Sequence, residues 1–128
     1  MSDADGVEIA AKFRMWLRSD GIVHLVWSPG AVMELDDAVT AIEAMSRLTS
    51  GRPAPLLADA HEAGSQSRLA RAEFVRRGDI ATAVAILVLS PLSRMMGNFY
   101  LSVNKPTTLT RLFEDEDQAI EWLRGYVA

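Results

Sequence analysis

From Ser90 to Trp122 the chain alternates strand end, helix, strand and helix, and this rhythm limits what the whole can fold into. Ser90-Pro91 opens a helix on which Leu92, Met95, Met96, Phe99 and Val103 recur at i, i+3, i+4, i+7 and i+11. Asn104-Lys105-Pro106 ends it, Thr110 to Phe113 runs extended, and Glu114 to Asp117 starts a last helix carrying Ile120, Trp122 and Leu123. Strands joined through helices require a sheet with parallel pairs and helical crossovers. Just upstream, Val84 to Leu89 is an unbroken apolar run, the pattern of an inner strand covered on both faces.

The rest of the chain fits that frame. Residues 1–9 read as a polar N-terminal lead-in and 10–128 as a single domain. Ala11 to Leu17 alternates, with Phe13, Met15 and Leu17 on one face and Arg14, Trp16 and Arg18 on the other. Ser19-Asp20-Gly21 is a turn signal, and Ile22 to Trp27 completes a β-hairpin. Leu35 to Leu48 spaces Leu35, Ala38, Val39, Ile42, Met45 and Leu48 along one helical face, with Asp36 and Asp37 in the first turn, where the helix dipole favours them. Pro55 to Ala60 is a third strand, and Ser67 is a suitable N-cap for a basic helix through Arg77. The order is β-β-α-β-α-β-α-β-α. It predicts an α/β domain with a five-stranded mixed sheet and helices packed on it.

Composition narrows the chemistry. The chain of 128 residues has no cysteine, which excludes disulfides and thiolate catalysis. A net charge of −4 argues against nucleic acid as a partner. The acidic start, Met1-Ser2-Asp3-Ala4-Asp5-Gly6, does not resemble a secretory signal, and the run Ala83 to Leu89 is too short to span a bilayer. The expectation is a cytoplasmic domain with no membrane insertion.

The element order resembles the STAS domain, and more closely the small stand-alone bacterial proteins grouped with the sporulation anti-sigma-factor antagonist. The residues carrying the likeness are Asp20-Gly21-Ile22-Val23-His24, Leu56 to Asp59, Ser90 to Arg94 with Gly97-Asn98-Phe99, and Asn104-Lys105-Pro106 through Leu123. In regulatory members an aspartate closes the third strand, and a phosphorylatable serine followed by serine-glycine opens the next helix. Asp59 matches the aspartate. At the helix start, Ser65-Gln66-Ser67-Arg68-Leu69, Arg68 stands about where that serine would fall and no glycine follows. This departure counts against a kinase–phosphatase switch. The resemblance implies a non-enzymatic module that binds a protein partner, such as a second copy in a homodimer.

Asp59, His61, Glu62, Ser65 and Ser67 gather at the C-terminal end of the third strand, where open α/β sheets bind ligands, and Ser90 ends the next strand. With Arg68 they make a candidate partner or small-ligand site at a helix N-terminus. The plainer alternative is that Ser67 only caps its helix while Asp59 and His61 bond loop backbone. No Gly-x-Ser-x-Gly elbow supports a hydrolase built on Ser65 or Ser90 with His61, so no catalytic residue is assigned. Two histidines 37 positions apart lack zinc-motif spacing, so no metal and no cofactor are expected. The run Glu114 to Asp117 reads as the first turn of a helix, with Glu114 and Asp117 spaced for a cap. The Met95-Met96-Phe99-Tyr100 stripe reads as core, and Gly97 within it suggests a close helix–helix or subunit contact. Three functions stay open: protein binding through the Ser65–Arg77 region, a small lipid-like ligand near Asp59, His61 and Ser90, or, without a motif to support it, a hydrolase using Ser90 and His61.

Overall fold

Alternation along the opening segment becomes a hairpin because its turn is built for one. Gly21 takes φ +88°, a region open to glycine. Asp20 accepts from the Ile22 amide (3.3 Å) and holds the Arg18 guanidinium (3.0 Å). In a computed structural model describing residues 6–60, 62–104 and 106–127, the elements are β1 (Val7–Ile9), β2 (Phe13–Leu17), β3 (Val23–Trp27), α1 (Leu35–Thr49), β4 (Ala54–Asp59), α2 (Arg68–Arg76), β5 (Ala81–Leu87), α3 (Pro91–Asn104), β6 (Thr110–Phe113) and α4 (Glu116–Arg124).

One sheet runs in chain order from β1 to β6. The first three strands pair antiparallel, and β3 to β6 are parallel, each reached by a helical crossover. The expected α/β class therefore holds, with one more strand. Val7–Ile9, read from sequence within a polar lead-in, is an edge strand on β2. Its anchor is long-range: Glu8 is buried and accepts from the Arg47 guanidinium on α1 at 2.9 Å. A three-residue strand shows too little period for a sequence reading to detect. The inner strand is β5, as the apolar run requires, although it starts at Ala81 and ends at Leu87 rather than spanning Val84 to Leu89.

Helices cover the sheet unequally. On one face α1 buries Ala38, Ala41, Ile42 and Met45 over Met15, Leu25 and Trp27. Burying such a side chain contributes about 1.5–3 kcal/mol each. Its start carries a capping box between Glu34 and Asp37. Helix α2 starts at Ser67, whose hydroxyl accepts from the Ala70 amide (3.0 Å), and it packs chiefly on α1. On the opposite face α4 lies alone, with Ala119, Ile120 and Leu123 over Leu57, Ala83, Ala85 and Leu87. Its cap is Asp115, which accepts from the Gln118 amide (2.9 Å), one place along from the expected Glu114–Asp117 pairing.

Helix α3 reverses an expectation. The stripe pattern predicts Met95 and Phe99 in the core, yet they face outward with Leu92 and Val103, each at least half exposed. The inward face is Ser93, Met96, Gly97 and Tyr100. Gly97 supplies the close approach anticipated for it, but to the sheet. A Cβ there would lie 3.0 Å from Leu112 Cδ2 and 3.2 Å from Val88 Cγ1. Gly97 lets the helix rest against Leu112 and Val88, and Leu92, Met95, Phe99 and Val103 turn to solvent.

Candidate functional site

The two faces of β5 are not filled alike. Ala83, Ala85 and Leu87 are completely buried under α4, while Val84 and Ile86 on the other face are only half-buried. The same holds for Leu56 and Ala58 on β4. Above this strip lies a cavity of about 160 Å³. Its floor is Leu56, Ala58, Val84 and Ile86, and its roof is made by Phe74 of α2 with Met96 and Tyr100 of α3. The void follows from how the roof is supported. Helix α2 leans on α1, and α3 leans on α2 and β6, so the helices bridge the middle of the sheet instead of descending onto it. An apolar cavity of about this size takes up a molecule as large as benzene.

The lining is mostly apolar, and Gln66, Arg77, Ser93, Tyr100, Thr108 and Thr110 supply its polar groups. Burial pushes the Tyr100 phenol above its usual range, so at neutral pH it is a neutral donor. Ala63, Gln66 and Met96 also line an open groove that runs outside α2 and α3 past Ser65, Arg71, Met95 and Phe99. These three residues therefore border both spaces. Arg71 lines the outer groove. Its guanidinium lies 5.3 Å from the Phe99 ring centre, and its Nη1 donates to the Gln66 carbonyl (2.6 Å). Its Nε is buried without a hydrogen-bond partner among the described residues. An unsatisfied buried donor costs about 1–3 kcal/mol.

The constellation read from sequence does not come together as one site. Strand period two sends Asp59 to the α4 side with Leu57, whereas Ser65, Ser67 and Arg68 lie on the face of α1 and α2. Ser67 caps α2 as expected, and Arg68 is exposed. Ser90 opens α3, exchanging hydrogen bonds with Ser93: the Ser90 amide donates to Ser93 Oγ and the Ser93 amide to Ser90 Oγ, both at 3.1 Å. His61 lies outside the described residues. On the α4 side Asp59 meets His24 and Glu116. Burial pushes the His24 imidazole below its usual range, against the opposing pull of Glu116 and Asp59. The cavity residues themselves escaped the sequence reading. The signal that could have found them is Gly97 inside an apolar helix, which marks where α3 touches down and hence where it does not.

No helix among the described residues is long and apolar enough to cross a membrane. The fold is shared with an uncharacterised protein of the DUF3478 family with a SpoIIAA-like fold, from Shewanella loihica PV-4. The TM-score is 0.62 at 17% identity, over 96% of this chain and 98% of that one. A protein of unknown function from Arthrobacter sp. FB24 aligns at 28% identity over 85% of this chain and 96% of its own, with a TM-score of 0.34. No curated protein matches the chain. The architecture is thus the SpoIIAA-like one that the sequence resemblance implied. A family model covers residues 15–127, and the chain belongs to that family, the domain of unknown function DUF7793.

Proposed function

We propose that the protein is a non-enzymatic, cytoplasmic binding module for a small apolar molecule carrying an anionic head. The body of the ligand occupies the cavity over β4 and β5, and its head reaches past Gln66 and Met96 to Arg71 in the adjoining groove. The observation that carries this reading is the cavity of about 160 Å³, walled by Leu56, Ala58, Val84 and Ile86 below and by Phe74 and Met96 above. Apolar pockets with a few polar groups at one end are what small-molecule sites look like in general. The orphan Nε of Arg71 gives the direction: a carboxylate there would satisfy it with a charge-assisted hydrogen bond.

The test is calorimetry with benzoate and with benzyl alcohol, chosen to match the cavity. The proposal predicts saturable binding of both, tighter for the acid. Ala58→Phe, which fills the floor, should abolish both, and Arg71→Leu should remove only the preference for the acid. Binding unchanged in Ala58→Phe would overturn the reading.

A second reading, protein binding, is favoured by α3. Leu92, Met95, Phe99 and Val103 form a continuous outward apolar stripe, each 50% exposed or more. The occupant we propose is a second copy of the chain, since two such stripes are self-complementary about a twofold axis. Light scattering across a concentration series should then show a dimer that Phe99→Glu dissociates. A monomer at every concentration would remove this reading and leave the cavity reading standing.

A further inference from the structure

The back of the sheet holds a group that neither reading uses. Three side chains from separate elements converge there: His24 from β3, Asp59 from the end of β4, and Glu116 from the first turn of α4. Their ligating atoms all lie within 4.8 Å of one another. We propose that His24, Asp59 and Glu116 bind a first-row divalent transition-metal ion, with Zn²⁺ as its representative.

The independent observation is the imidazole. Its side chain is only 8% exposed, and Nε2 is buried with no hydrogen-bond partner among the described residues. That nitrogen points at the carboxylates, 3.9 Å from Glu116 Oε1, beyond hydrogen-bond reach. Two atoms bound to one ion at about 2.1 Å sit roughly 3.4 Å apart in a tetrahedron, so modest side-chain rotation closes the site. The ring is already oriented. It packs on Trp16, directly across the β2–β3 ladder, with ring centres 4.4 Å apart and planes tilted by 36°.

The donor set selects the class of ion. One nitrogen and two carboxylates suit zinc and its neighbours, whereas Ca²⁺ and Mg²⁺ prefer oxygen throughout. Two negative charges also balance a divalent cation. Because the Glu116 side chain is 48% exposed, the remaining coordination positions open to solvent and would carry water. A site assembled from β3, β4 and α4 leaves no linear motif, which is why histidine spacing along the sequence gave no hint of it.

The experiment uses the whole chain, stripped with chelator and titrated with ZnCl₂, with MgCl₂ and CaCl₂ as comparison arms. Binding is read by calorimetry and by the imidazole ¹H–¹⁵N long-range correlation spectrum, in which the two histidines give the only imidazole signals. The proposal predicts one Zn²⁺ per chain, with a shift of the His24 Nε2 resonance and at least tenfold weaker response to Mg²⁺ and Ca²⁺. Glu116→Gln should weaken Zn²⁺ at least tenfold while its circular dichroism and metal-free melting temperature stay unchanged. Zinc binding that leaves His24 Nε2 unshifted, that survives the Asp59→Asn and Glu116→Gln double variant, or that is lost only with His61→Ala would overturn it.

Discussion

Gly97 sets the height of α3, and its substitution tests that directly. A methyl group there would sit 3.0 Å from Leu112 and 3.2 Å from Val88, tighter than ordinary contact. Alanine gains about 1 kcal/mol of helix propensity that offsets part of this crowding. Valine adds bulk that the contact cannot absorb. We predict that Gly97→Val lowers stability by about 1–3 kcal/mol in urea unfolding, with Gly97→Ala near neutral. At the hairpin turn, the Arg18 guanidinium holds the Asp20 carboxyl below the usual carboxylate range, helped by the Ile22 amide and opposed by partial burial. A depressed folded-state value means the contribution is present above the unfolded value, near 4, and disappears as pH falls through the folded one. Asp20→Asn should therefore be less stable than the parent at pH 7, with the gap closing on acidification below pH 4. A gap that stays constant down to pH 2 would deny the linkage.

At the scale of elements, α3 and α4 are both amphipathic, yet they use their apolar faces oppositely. Leu123 of α4 is completely buried, so Leu123→Ala should cost about 2–5 kcal/mol. Leu92 of α3 is 59% exposed, and Leu92→Ala should change stability by no more than about 0.5 kcal/mol. Chemical denaturation of the two variants checks the assignment of faces. The contrast also explains what could be read from sequence. Periodicity located α1 and α3, because a helix repeats its pattern over several turns, while end signals located α2 and α4. Periodicity could not orient α3, since apolar side chains occur on both faces, Met96 and Tyr100 inward and Leu92, Met95, Phe99 and Val103 outward. Edge strand β1 was missed because its anchor, Glu8 to Arg47, spans 39 positions. The predicted site split for a related reason: alternation along β4 assigns Asp59 to one side of the sheet while the following loop crosses to the other.

For the whole molecule, the SpoIIAA-like sheet offers two unlike surfaces. Under α4 the apolar residues close completely; under α2 and α3 they enclose space. That space was not legible in the sequence, because a void between apolar residues leaves no trace in composition or period. Ligand binding there requires this volume to be occupied in the working protein. The most direct measurement is a backbone and methyl NMR titration of the full chain with benzoate. It should show saturable shifts at Leu56, Ala58, Val84, Ile86 and Met96, the lining of the cavity. Shifts confined to Leu92, Met95 and Phe99 on the outer face of α3, or none at all, would contradict it.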